Sequence, residues 1–119
     1  MDEQNRVLML QGRTRARLPE VPATGDFETL AEAATTLARA LGIGELWVQP
    51  GCEEPILLEP ARADPEDGLR TKVAIRYLYR TIASLAQFAP GAPQVWVPLA
   101  EAGTELEQRV NSVLAEGAT

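Results

Sequence analysis

Apolar residues in this chain fall into short runs and stripes separated by prolines and glycines, and the spacing inside each one sets the element it predicts. Arg6-Val7-Leu8-Met9-Leu10-Gln11 is a largely apolar run closed by Gly12, and Arg13-Thr14-Arg15-Ala16-Arg17-Leu18 alternates strictly. Both read as strand, either one strand bent at a glycine bulge or a hairpin turned at Gln11-Gly12. Pro19, Pro22 and Gly25 then force a loop. Asp26 is a good N-cap, and Phe27, Leu30, Ala34, Leu37 and Leu41 follow at spacings of three and four, the stripe of a helix that Gly42 stops.

Beyond Gly42, Glu45-Leu46-Trp47-Val48-Gln49 alternates up to Pro50-Gly51, and Pro55-Ile56-Leu57-Leu58-Glu59 resumes soon after. The pattern predicts a hairpin with Cys52, Glu53 and Glu54 at its tip. Asp64-Pro65-Glu66-Asp67 combines a capping aspartate, proline at the first helical position and carboxylates at the positive end of the macrodipole. It predicts the longest helix, with Leu69, Val73, Leu78, Ile82, Leu85 and Phe88 on a drifting apolar face and Pro90-Gly91 and Pro93 at its end. Gln94-Val95-Trp96-Val97-Pro98 reads as a fourth strand that sits at an edge or stops at Pro98. Thr104-Glu105-Leu106-Glu107 has the spacing of a capping box, opening a last helix with Leu106, Val110, Val113 and Leu114 inward. The tail from Gly117 is expected to fray.

The order predicts an α+β domain of the ferredoxin-like kind: two βαβ halves joined by a hairpin, two helices on one face of a four-stranded antiparallel sheet, and an added C-terminal helix. If Arg13 to Leu18 is a strand of its own, a five-stranded mixed sheet of the sensory-domain type competes. The 119 residues suit one domain, since a chain of this size buries about two-thirds of its unfolded surface.

Composition narrows the setting. No apolar run approaches the roughly 20 residues that span a bilayer, and Asp2 and Glu3 stand where a signal peptide carries positive charge, so a cytoplasmic protein is expected. Cys52 is the only cysteine and cannot form an internal disulfide. A formal charge of −6 repels nucleic acid and anionic lipid over most of the surface, so neither is expected as a partner. Lys72 is the only lysine and alanine is abundant, the residue usage of a GC-rich bacterial genome.

The absences are the most specific chemical signal. With no histidine and one cysteine, the commonest general base, the Ser-His-Asp arrangement and a thiolate metal cluster are all missing. No Gly-rich phosphate loop occurs either. No catalytic residue, metal or cofactor is assigned. Cys52 lies beside Glu53 and Glu54, whose charges disfavour its thiolate.

Four groups of residues stand out as candidate binding features. On the predicted long helix, Lys72, Arg76 and Arg80 recur every four residues and form a cationic row, with Arg70, Tyr77 and Tyr79 nearby. Arg13, Arg15 and Arg17 form a second row along an extended strand. Either row could grip an acidic partner, although solvated faces paired with carboxylates elsewhere account for the helix row, and protection of a strand edge for the other. Glu53, Glu54, Glu59, Asp64, Glu66 and Asp67 make an acidic counterpart without the spacing of a calcium loop. Trp47 and Trp96 project opposite Leu46 and Val48, and opposite Val95 and Val97, so both could line an open sheet face as a ligand platform or dimer interface, or equally fill the core.

These features predict a non-catalytic protein-interaction or regulatory domain, homodimeric through its open sheet face, that binds another protein through charged surfaces as inhibitor, adaptor or accessory subunit. The competing expectation is a small-molecule sensor or cofactor-independent enzyme with a pocket lined by Trp47, Trp96, Tyr77 and Tyr79.

Overall fold

The structure, a computed structural model, describes residues 1–12, 16–20, 29–61 and 72–117. Among them the chain runs β1 (Arg6–Gln11), β2 (Ala16–Arg17), α1 (Leu30–Ala40), β3 (Trp47–Val48), β4 (Leu57–Ala61), β5 (Lys72–Arg76), β6 (Tyr79–Arg80), β7 (Gln94–Pro98) and α2 (Thr104–Gly117). The class is mixed α+β, as the sequence leads one to expect, and its antiparallel sheets are small.

The largest sheet has the order β2-β1-β7. β1 is its centre, with Leu10 opposite Arg17 and Gln11 opposite Ala16 on one side. On the other side, Arg6 stands opposite Pro98 and the pairing runs to Leu10 opposite Gln94. The first two runs are therefore separate strands joined as a hairpin. Pro98 closes β7 at the edge of this sheet, where its missing N–H costs no ladder bond. Alternation puts Val7 and Met9 on the face of Val95 and Val97, and Arg6 and Leu8 on the face of Trp96.

Two expectations about the middle of the chain are overturned. The segments 45–49 and 55–59 do not pair with each other. Each pairs instead with the stretch that reads as the longest helix, whose residues 72–76 and 79–80 are strand. Leu57 to Ala61 run antiparallel to Arg76 to Lys72, and Trp47 and Val48 lie opposite Arg80 and Tyr79. The four-residue spacing of Lys72, Arg76 and Arg80 fits a helix and an extended chain equally well. Val73, Ile75, Tyr77, Tyr79 and Thr81 are residues that pack best on a pleated surface, and two pairing strands decide the conflict. Only a 3-10 turn at Ala83–Leu85 is helical between Lys72 and Gln94. Among the described residues the strands form one three-stranded sheet and two ribbons, in which neither the ferredoxin-like order nor the five-stranded alternative is seen. The helix start at Asp64-Pro65, the Asp26 cap and Phe27 lie outside the described residues.

One extended chain thus serves two ribbons, interrupted at Tyr77-Leu78. Opposite that short interruption the other strand makes an excursion from Gln49 to Ile56, held at its ends by Gln49 N–H donating to Leu78 O (3.2 Å) and Ile56 N–H to Arg76 O (2.9 Å). It opens with a β-turn in which Cys52 N–H donates to Gln49 O at 2.9 Å, Pro50 takes the second position and Gly51 the third at φ +83°. This is a type II turn, whose third residue needs positive φ.

α1 starts at Thr29, three residues after Asp26, with the Thr29 Oγ1 accepting from Glu32 N–H at 3.0 Å. At its end Ile43 N–H donates to Ala38 O (2.8 Å) and Gly42 N–H to Arg39 O (3.1 Å), the paired bonds of a Schellman motif with Gly42 at φ +89°. Gly42 is the stop that the sequence predicts. Of the expected stripe, Ala34, Leu37 and Leu41 are half-buried beside the buried Ala38, whereas Leu30 is exposed.

α2 carries Leu106, Val110, Val113 and Leu114 inward as expected. Its cap position falls on Gly103, whose carbonyl accepts from Glu107 N–H at 2.9 Å, so Thr104 is already helical. These side chains pack on a core of Cys52, Ile56, Leu57, Leu78 and Leu99, joined by Met1 and Val7. The core therefore lies between α2, the Gln49–Ile56 excursion and one face of β1.

Two glycines separate conformational cost from crowding. A Cβ at Gly42 would sit 2.1 Å from Gln87 O, whereas one at Gly51 would meet nothing within 4 Å. Gly51→Ala is expected to cost about 1–2 kcal/mol, the penalty for a left-handed L-residue. Gly42→Ala adds a backbone clash, and urea unfolding of the two variants should show it as clearly the more damaging.

Candidate functional site

The residues singled out from sequence end up in different places. Arg76 is turned inward: its Nε donates to Glu59 Oε1 at 2.6 Å and a terminal nitrogen lies 2.8 Å from Glu20 Oε1. Glu59 is diagonal to Arg76 across β4 and β5, within reach for long side chains. Arg80 donates to Gln49 Oε1 through Nε, and through one terminal nitrogen to Asp2 O and Asn5 Oδ1, both at 2.8 Å. Lys72 begins β5 opposite Ala61, and Arg17 is exposed on β2. Arg13, Arg15, Arg70, Asp64, Glu66 and Asp67 lie outside the described residues. Because the predicted helix is strand, the cationic row on a helix face does not form, and its two described guanidinium groups bind the chain's own acceptors.

The tryptophans are on different sheets. Trp96 is half-buried, 6.2 Å from the Phe88 ring between centroids, and the Arg6 guanidinium lies 5.8 Å from its ring centre, a cation–π contact across the β1–β7 pair. Trp47 is 44% exposed on the β3–β6 ribbon opposite Arg80. Tyr77 fills the interruption between β5 and β6, and Tyr79 lies opposite Val48; both are half-buried. No single platform is built from these four rings.

Sequence reasoning missed the residue that Arg80 and Arg6 share. Asp2 is fully buried, and its Oδ2 accepts from Arg6 Nε and lies 2.7 Å from a terminal Arg6 nitrogen. Its Oδ1 accepts from the backbone N–H groups of Gln4 (3.0 Å) and Arg6 (2.8 Å), which satisfies a buried carboxylate on both oxygens. Asn5, at φ +58°, lets the chain close this turn. The signal in the sequence was the Asp-x-x-Asn-Arg spacing, an Asx-type turn that Arg6 completes.

A second feature emerges only in three dimensions. A groove of about 330 Å³ opens between the Gln49–Ile56 excursion and α2, lined by Pro50, Cys52, Glu54, Ile56, Arg109 and Val113 among others. Arg109 and Val113 lie four residues apart, and Glu116 follows after another three, so one helix face forms the wall. Arg109 Nε donates to Ile56 O at 2.7 Å and ties that wall to the loop. None of Trp47, Trp96, Tyr77 or Tyr79 lines this groove. Among the described residues, no three of the Cys, Asp and Glu side chains are grouped as a metal site, and no helix is long and apolar enough to cross a membrane.

The electrostatics follow from burial. The Cys52 thiol is pushed up from its ordinary value of 9.0, first by burial and then by Glu53, with Arg80 pulling the other way and Glu116 adding to the rise. The Tyr79 phenol is raised by burial and then by Tyr77. Burial, followed by the Arg80 charge, holds the Met1 ammonium down to about 6 against the opposing effect of Asp2, while it donates to Tyr79 O at 2.9 Å. Cys52 is therefore a protonated, sequestered thiol at neutral pH.

Both raised groups keep their protons longer in the folded state. Their stabilising contribution is complete below the unfolded values, 9.0 for the thiol and 10.0 for the phenol, and is lost as pH rises through the folded ones. Urea midpoints measured from about pH 8 to about pH 11 should fall, and the fall should shrink in Cys52→Ala and in Tyr79→Phe. Arg80→Met removes three hydrogen bonds at once and is expected to destabilise by about 2–4 kcal/mol in the same assay at neutral pH. Set against known protein families, curated proteins and solved structures, the chain matches no family model, no curated protein and no solved structure.

Proposed function

We propose that this chain is a non-catalytic protein-interaction domain that pairs with a second copy of itself through the outer face of the β4–β5 ribbon. The observation that carries the reading is the cross-strand pair Leu58 and Ile75, directly opposite each other and 62% and 55% exposed. Two large aliphatic side chains side by side on one face retain apolar surface that association would remove from water, worth about 25 cal/mol per Å². An antiparallel ribbon is close to symmetric about its own twofold. Stacking two copies sets Leu58 of each against Ile75 of the other, the self-complementary contact of a C2 dimer.

Charge belongs to a different part of this proposal. With Arg76 and Arg80 occupied internally, the exposed Arg17 and Glu53 are among the charged groups offered to a further protein partner. The dimer would then serve as an inhibitor, adaptor or accessory subunit. Its setting would be the cytoplasm, where a lone thiol such as Cys52 stays reduced. An aromatic-lined catalytic pocket has less in its favour, because the groove beside α2 is lined by other residues.

Light scattering after size exclusion, at low and high salt, tests the dimer. The wild-type chain is expected at twice its monomer mass in both, and the Leu58→Glu/Ile75→Glu variant at the monomer mass with an unchanged circular dichroism spectrum. A wild-type monomer at both salt concentrations would overturn the reading.

A further inference from the structure

The groove between the Gln49–Ile56 excursion and α2 combines three properties of a ligand site, independently of the dimer. Its size, about 330 Å³, is at the lower end of the roughly 300–1,000 Å³ of small-molecule pockets. It is preorganised: Pro50 and Pro55 stiffen the loop wall, the type II turn fixes its entry, and Arg109 clips the helix wall to Ile56 O. Its two walls also carry opposite charges. Arg109 comes from α2 and Glu54 from the loop, and Ile56 and Val113 line the same groove.

Of the five N–H donors of the Arg109 guanidinium, the bond to Ile56 O uses one. A guanidinium edge matches a carboxylate, and a carboxylate such as Glu54 matches an ammonium. Glu54 is exposed and makes no hydrogen bond or ion pair among the described residues. The geometry points to a binding site for a free α-amino acid: its carboxylate on Arg109, its ammonium on Glu54, and its side chain over Ile56 and Val113.

Titration of the ¹⁵N-labelled full chain with glycine, leucine, lysine and glutamate, followed by amide shifts, reads this directly. Saturable shifts confined to residues 50–56 and 109–116 are expected, stronger for leucine than for glycine. Acetate and ethylamine at the same millimolar concentrations are expected to give none. Glu54→Gln, a change at an exposed position, should weaken lysine binding about tenfold by removing one charge-assisted bond, while leaving the melting temperature unchanged. The absence of saturable shifts with all four amino acids, or equal shifts with acetate alone, would overturn the assignment. The dimer mass, read separately, does not depend on the outcome.

Discussion

The Arg80 guanidinium is the junction on which this architecture turns. It lies on a strand of only two residues, yet it reaches the N-terminal turn through Asp2 O and Asn5 Oδ1 and the start of the Gln49–Ile56 excursion through the Gln49 side chain. The backbone on either side of it is held as well, by the Met1 ammonium donating to Tyr79 O and Thr81 N–H donating to Met1 O. Three chain segments distant in sequence are thus fixed around one planar cation whose donors point in set directions, a role that lysine's single flexible ammonium could not fill. Asp2 completes the arrangement by neutralising Arg6 from a fully buried position, so that Arg6 is aligned over Trp96.

How much of this could be read from the sequence depended on whether a local signal had a competitor. β1, β7, the Gly42 stop and the inward face of α2 were legible because alternation, proline, positive-φ glycine and helical spacing each pointed one way. The stretch 72–88 was not, because Leu78, Ile82, Leu85 and Phe88 are spaced for a helix while the β-branched and aromatic residues among them favour a strand. Pairing with residues 47–61 settles that conflict, and pairing is invisible to a local pattern. The hairpin expected between 45–49 and 55–59 failed for the same reason. Both strands were placed correctly, but their partner had already been assigned to a helix.

The candidate site was less legible than the fold. Charge density drew attention to Lys72, Arg76 and Arg80, and the two of these with described side chains serve the chain's own structure. Cys52 stood out as the lone cysteine, and its burial explains its raised thiol better than the neighbouring carboxylates do. Arg109 carried no signal, since one arginine on an amphipathic helix is ordinary. Its importance comes from facing a loop more than fifty residues away in sequence, where it meets Ile56 O.

The pairing of β1 with β7 has a consequence for how the chain is made. During synthesis β1 can find β2 at once, but β7 leaves the ribosome only after nearly all the intervening chain, and closing so long a loop is slow. Until then Val7, Leu8, Met9 and Leu10 wait with one edge of their strand unpaired. The nascent chain is therefore vulnerable at β1 until β7 has been made, and becomes secure there only when that strand arrives.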